Sequence, residues 1–401
     1  MMKICIVTHK VIHTDGQGRV NYELVRYLLQ QGHCVTLIAT DVDLELAAKP
    51  NLVWNRVPIP AWVPSALLQN QVFALKARYI LNQHANEFDI VHLNGCITYY
   101  SADVNSSHFV HSNWLKCAYH PAQLSNGLSS AYQWLYTAIN AVWEQRSYAR
   151  SQVVIAVSDF VKQSLVEDAK ISAAKISVIP NGVDPNEFRP LQTGEENRLR
   201  RELNLSDAAF LIFFAGDIKL NRKNLDLVLR SLPHLDPNLH LVVAGVTEGS
   251  PYPAMAQALQ LCDRVHFLGY RTDIPVLLRG ADAFAFPSHY DPFSLAVVEA
   301  LASGIPVITA PSVGASTLIC SGENGFVLKS SNDLDGMIAI LNRLERDRAV
   351  AKSIGSAGRV TATRLSWEAM ASCYEAVYKE LINQRGEVFA DSVGTSRSRT
   401  I

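Results

Sequence analysis

Short, uninterrupted apolar runs alternate with amphipathic stretches along almost the whole chain, and this rhythm limits the fold more than any other feature of the sequence. Lys3–Val7 is an apolar run that ends in a polar loop. Over residues 20–31 the apolar positions Val20, Leu24, Val25, Leu28 and Leu29 fall at helical spacing, and Gly32 stands just past the end, where helices favour a glycine. CVTLIAT, next along the chain, is β-branched and of strand length. Strand, loop, helix, strand is the βαβ unit of a parallel sheet. The same order recurs, with DIVHLN, SSHFVH, VVIAVS and ISVIPN reading as strands in the first half and AFLIFFAG, LHLVVAG, RVHFLGY, DAFAFPS and PVITA in the second. Strands that are apolar on both faces belong to sheets covered by helices on both sides.

A length of 401 residues is too great for one such core and fits two. The seam falls near residues 186–206, where PNEFRPLQTGEENRLRRELNL carries two prolines, a glycine and a dense charge run but no strand. The expected organisation is a first Rossmann-like domain over 1–190, a second over 191–366, a final helix over 367–385 and a loose tail over 386–401. Two open parallel sheets face each other across a cleft, and ligands bind outside the carboxyl ends of the strands. With 36 basic and 37 acidic residues the formal net charge is −1, which gives no global pull toward nucleic acid. The seven cysteines are scattered without a close pair, so they suggest reduced thiols rather than zinc or a redox dithiol. The start MMKICIVTHK reads straight into a strand rather than a signal peptide, and no stretch approaches the ~20 apolar residues that span a bilayer. The expected location is the cytoplasm.

The loops after the strands carry the chemistry. After DAFAFPS a polar loop at 288–291 leads to Pro292, which is tolerated in a first helical turn. The amides of Ser294, Leu295 and Ala296 are then free to donate to a phosphate at the positive end of the helix dipole. Glu299, further along, is placed to accept from the two hydroxyls of a ribose, and Asp291 stands where the sugar on the far phosphate would lie. The structural alternative makes Glu299 a solvated carboxylate and Asp291 a helix-start residue. In FFAGDIKLNRKNLDLVL, Gly216 ends a strand and Lys219, Arg222 and Lys223 follow. Clustered cations at a strand-to-helix loop suit a diphosphate and its departure; the alternative is a solvated basic loop.

Together these segments resemble retaining glycosyltransferases of family 4. DPFSLAVVEALASGIPVI matches the family's pair of acids with seven residues between them, with Asp291 at the first position in place of the usual Glu, Phe293 as in the family, and Ser294 in place of the usual Gly. Lys223 matches the family lysine; Asp217 occupies the place of its usual arginine, and Arg222, with Lys219 behind it, is the substitute. ISVIPNGVDPNEFRP is similar to the family's hinge segment, and Ser158 after VVIAV to its usual serine, a helix cap. The resemblance implies the GT-B fold, with the C-terminal helix crossing back to the first domain, and transfer with retention from a UDP- or GDP-sugar without a metal or bound cofactor. The sugar nucleotide is then a substrate, and the acceptor a glycan, a lipid-linked molecule or a small molecule. It implies that the loop at Tyr270 and Arg271 reaches the donor base. Gly16, Gly18 and Arg19 then match loosely a phosphate-approaching loop in which Asp15 replaces the first glycine. Of the histidines, His111 fits best as the one facing the donor sugar and His108 second; Arg19, Asn94, Gly95 and His108 are acceptor candidates. Stretches such as AWVPSALLQNQVF and NWLKCAY can dock on lipid in the family, although core packing is their commoner use, so peripheral contact with the inner membrane face is a further expectation to be tested against packing, as is a monomer or homodimer. Two other readings remain: an NAD-dependent oxidoreductase built on Gly16 and Gly18, and a non-catalytic sugar-nucleotide or glycan binder. Asp41-Val-Asp43 and Asp333-Leu-Asp335 mimic a metal-binding motif of the other major glycosyltransferase fold, which the double Rossmann rhythm disfavours.

Overall fold

The computed structural model describes residues 1–14, 16–84 and 86–397, with side chains as far as residue 387, so Asp15, Ala85 and residues 398–401 lie outside the described residues. The apolar runs pair as their burial demands. In the first half seven parallel strands lie in the order Leu52–Arg56, Cys34–Ala39, Lys3–Val7, Ile90–Asn94, Val104–Ser107, Val153–Ala156, Ile176–Val178. In the second half six lie in the order Val265–Gly269, Leu239–Ala244, Phe210–Ala215, Ala283–Phe286, Val307–Thr309, Phe326–Val327. Central strands are buried throughout, as in Ile90–Asn94 and Ala283–Phe286. The edge strand Leu52–Arg56 buries only Leu52, which is why hydrophobicity did not announce it. SSHFVH is only half strand: the internal strand Val104–Ser107 stops at Ser107, and His111 opens the short helix His111–Lys116.

The first helix is Gly16–Gln30, one turn longer at its start than apolar spacing suggests. Gly32 adopts φ +79°, and the amides of Gly32 and His33 return to the carbonyls of Leu29 and Leu28 at 3.0 Å.

The final helix, Trp367–Arg397, begins in the second half and packs on the first. Trp367, Met370, Ala371, Tyr374, Tyr378 and Leu381 join the first-half core cluster. A buried polar chain fixes its rotation: Tyr378 Oη to His92 Nδ1 at 2.7 Å, His92 Nε2 to Ser106 Oγ at 2.7 Å, and Ser106 Oγ to Tyr374 Oη at 3.2 Å. Burial pulls the His92 pKa down to about 3, so the ring is a neutral member of this network. The helix runs on beyond residue 385, where the sequence pattern loses its apolar face.

The chain crosses between the halves twice, and the crossings lie side by side: Val183 N donates to Leu365 O at 2.7 Å. At Gly182 a Cβ would lie 2.6 Å from the backbone nitrogen of Trp367, so only glycine lets the two strands of the hinge touch.

Candidate active site

Strand Phe210–Ala215 delivers Gly216, and the loop closes into the turn Asn221–Lys223 before helix Leu225–Ser231. Asn224, at φ 59° and ψ 46°, caps that helix through its Oδ1 and donates Nδ2 to Pro287 O at 3.0 Å and Ser331 O at 2.6 Å. Arg222 O accepts from His289 N and Ser288 Oγ, both at 2.9 Å, and the Arg222 guanidinium donates to Tyr290 O at 3.3 Å. These bonds fasten the cationic turn to the loop after Ala283–Phe286. The result is an ion pair between Lys223 Nζ and Asp291 Oδ2, whose side chains are only 14% and 9% exposed. The ammonium also lies 5.0 Å above the Phe286 ring. Burial lowers the Lys223 pKa, the Asp291 charge opposes that, and Arg222 adds to it.

Asp291 is rigid: its amide donates to Ser312 O at 3.0 Å and its carbonyl accepts from Gly314 N at 2.9 Å. Helix Leu295–Ala302 follows with Ser294 as its first cap. Its first-turn amides have no carbonyl earlier in the helix to bond, which leaves them for a ligand. Glu299 stands one turn in. Burial raises its pKa to about 7, Glu187 adds to the rise and Arg19 opposes it. Gly16 lies across from this helix start, with Leu295 Cδ1 4.0 Å from where its Cβ would be. Arg19, one turn into the first helix, binds Glu23 at 2.7 Å and Glu187 at 3.3 Å. Two helix starts, one from each half, thus converge near Glu299. Gly18 lies in the first turn of helix Gly16–Gln30.

The remaining sequence candidates divide. Lys219 is exposed, and its amide closes an Asx turn with Asp217 at 3.0 Å. Tyr270 is 69% exposed and presents a ring face, whereas the Arg271 guanidinium is occupied by Glu202 and Asp273 at 2.5 and 2.7 Å. On the first-half edge, Gly95 N donates to Asn105 Oδ1 at 2.8 Å, and Asn94 Oδ1 meets His108 Nε2 at 3.2 Å, leaving Asn94 Nδ2 buried without a partner. Burial draws the His108 pKa down to about 4. His111 is held by Glu144, which sequence reasoning missed, as it missed Tyr290 and Glu187. Tyr290 Oη accepts from Val110 N at 3.4 Å and donates to Val110 O at 3.2 Å, and Ser158 Oγ donates to Pro292 O at 2.6 Å, tying the halves together beside the site. Trp114 of NWLKCAY packs on Tyr290 with ring centroids 5.1 Å apart, so that segment serves this junction rather than presenting its tryptophan to lipid. Asp43 and Asp333 cap helices, accepting from Glu45 N at 2.9 Å and Gly336 N at 3.0 Å.

Residues 14–187 match the family model described as Glycosyltransferase Family 4, and residues 195–361 that described as Glycosyl transferases group 1. Among curated relatives, a D-inositol 3-phosphate glycosyltransferase of Mycobacterium marinum is 29% identical over 332 residues, covering 79% of this chain and 69% of its own. An MMP alpha-(1->4)-mannosyltransferase of Mycolicibacterium hassiacum is 24% identical over 422 residues, covering 95% and 98%. The fold is shared with sucrose-phosphate synthase from Thermosynechococcus elongatus, at a TM-score of 0.78 and 20% identity, covering 96% of this chain and all 100% of that one. It is shared too with Anabaena HepE in complex with UDP-glucose, at a TM-score of 0.68 and 19% identity, covering 96% and 100%.

Proposed function

The chain belongs to the family 4, group 1 glycosyltransferases and has their GT-B architecture, and from that premise we propose that it transfers a hexose, with retention, from a UDP- or GDP-sugar to a glycan, lipid-linked or small-molecule acceptor. The observation that carries the reading is the Lys223–Asp291 pair at the open amide end of helix Leu295–Ala302, with Glu299 one turn further in. In a front-face displacement the bond from the anomeric carbon to the diphosphate oxygen breaks as the acceptor oxygen bonds on the same face. Lys223, Arg222 and the first-turn amides stabilise the charge that develops on the leaving diphosphate, which takes the acceptor's proton. Asp291 and His111 orient the sugar, Glu299 holds the ribose, and the exposed Tyr270 stacks on the base. Arg19, Asn94, Gly95 and His108 line the acceptor side, where the unpaired Asn94 Nδ2 is a donor in want of an acceptor.

These cations and amides carry the charge that a metal carries elsewhere, so transfer persists in a chelator. The test is a thermal-shift screen against UDP, GDP, ADP and their sugars, followed by product analysis. A ligand at about a hundred times its Kd stabilises by about 2.7 kcal/mol. If no nucleotide or sugar nucleotide raises the melting temperature, the reading fails; stabilisation without turnover identifies a non-catalytic binder.

Among the described residues no helix is long and apolar enough to cross a membrane. Peripheral contact with the inner face is supported by helix Leu128–Arg150, which exposes Leu128, Trp134, Leu135, Ile139 and Val142 beside Arg146 and Arg150. All of these but Leu128 border a cavity of about 540 Å³, and neither arginine has an ion pair among the described residues.

A further inference from the structure

We infer that Glu144 is a positioning residue for the reaction, fixing the tautomer and direction of the His111 imidazole; the inference rests on the reading above, in which His111 faces the donor sugar. Glu144 lies in helix Leu128–Arg150 and is 1% exposed. A carboxylate that deep is costly unless every lone pair is engaged. Here Oε2 accepts from His111 N at 2.8 Å and from His111 Nδ1 at 2.9 Å. Oε1 accepts from Ser112 N at 2.9 Å and Ser112 Oγ at 3.0 Å. All four donors come from two consecutive residues, and no lysine or arginine pairs with Glu144 among the described residues.

Two of the four bonds, those from the backbone amides of His111 and Ser112, do the work of a helix cap, and the Ser112 hydroxyl adds a third beside them. Helix His111–Lys116 has Val110 at its cap position, which supplies no side-chain acceptor, so a carboxylate from another helix satisfies its first amides. The fourth bond has no part in capping. An ionised carboxylate only accepts, so Nδ1 must carry the proton. In the neutral form of the ring Nε2 is then the nitrogen with the lone pair, and it has no protein partner among the described residues. The bond to Glu144 sets the direction of the ring, which also makes T-shaped contacts with Phe109 and Tyr136 at centroid distances of 5.0 and 6.3 Å. The side chain is 20% exposed, which gives a substrate hydroxyl access to an acceptor of fixed direction. A residue whose whole purpose was capping would not also need to hold a ring nitrogen.

The test reads the tautomer directly. In the full chain labelled with 15N-histidine, the His111 ring resonances show Nδ1–H and an unprotonated Nε2. Glu144→Gln replaces one acceptor by a donor facing Nδ1 and shifts the ring toward Nε2–H. For whichever UDP-, GDP- or ADP-sugar turns over in the screen, kcat falls roughly 10–100-fold, the usual effect of losing an outer partner of a ligating histidine, while the donor KM moves less than about threefold. Ser112→Ala, which removes the hydroxyl bond to Glu144 Oε1 and keeps both capping amides and the bond to Nδ1, leaves tautomer and kcat as they were. In His111→Ala, Glu144→Gln costs no further kcat. An Nε2–H tautomer in the wild type overturns the inference without any variant having to fold. So does an unchanged kcat in Glu144→Gln while His111→Ala is impaired. Full activity in His111→Ala instead removes the histidine from the proposed site, a separate failure, and with it the catalytic consequence claimed for Glu144.

Discussion

Ser294 occupies the cap of the donor helix with φ +73° and ψ 92°, a conformation that suits glycine and strains a residue with a Cβ. Its hydroxyl is buried and has no hydrogen-bond partner. Ser294→Gly relieves both conditions. Leaving the left-handed region to a glycine recovers about 1–2 kcal/mol, and removing a buried hydroxyl without a partner recovers about 1–3 kcal/mol. Against this stands the greater freedom of glycine in the unfolded chain, about 0.5–1 kcal/mol, and the few contacts of one methylene. The relieved costs outweigh the new one, and the expected result is a gain of about 1–4 kcal/mol, or roughly 2–16 °C in the melting temperature of a domain of this size. All six tryptophans lie outside residues 191–366, so scanning calorimetry rather than intrinsic fluorescence should follow the second domain. Ser294→Ala separates the two contributions, because it removes the hydroxyl but keeps the Cβ and the strain; it should gain less than glycine does. A neutral or destabilised Ser294→Gly refutes the reasoning, and equal gains for alanine and glycine refute the backbone part of it.

Three further outcomes follow from the site and the surface. With the Glu299 pKa raised to about 7, the carboxylate that accepts from a ribose is mostly protonated at pH 6 and mostly ionised at pH 8. UDP or GDP affinity measured by calorimetry should therefore rise severalfold across that range and become flat in Glu299→Gln. The sign for folding is opposite: the folded state holds this proton more tightly than the unfolded chain, so the group's contribution to stability is lost as pH rises from about 4.5 through 7. Asp291→Asn leaves the Lys223 charge unneutralised, so it should tighten binding of bare UDP or GDP while lowering sugar transfer by more than about tenfold; weaker diphosphate binding would show that the pair organises the site rather than masking its cation. Cosedimentation with vesicles containing anionic lipid should be lost in the double variant Arg146→Glu, Arg150→Glu at about 0.1 M salt, where a surface charge still acts over about 10 Å; unchanged sedimentation would free this face of a membrane role.

The local physics of the chain was sufficient for the architecture. Continuous apolar runs such as Phe210–Ala215 and Ile90–Asn94 bury both faces and make central parallel strands, and Gly32 ends a helix where the apolar spacing stops. Elements that carry little apolar signal were illegible, such as the edge strand Leu52–Arg56 and the end of Trp367–Arg397. The candidate donor-side residues could be proposed from the sequence because they follow one another closely in two strand-to-helix loops, and because proline, free amides and clustered cations leave a local mark.

Partnership is another matter. Lys223 and Asp291 are 68 residues apart, Glu144 and His111 33, and Tyr378 and His92 286. Arg271 looked available in the sequence and is taken by Glu202 across 69 residues, while Trp114, for which the sequence left lipid and core packing both open, packs on Tyr290. Sequence determined which segments become strands and helices, since sterics and the period of burial act over a few neighbouring residues. Only the tertiary structure decided which charge meets which and what stays open to a ligand, because electrostatics and desolvation depend on distances that exist only once the chain has closed on itself.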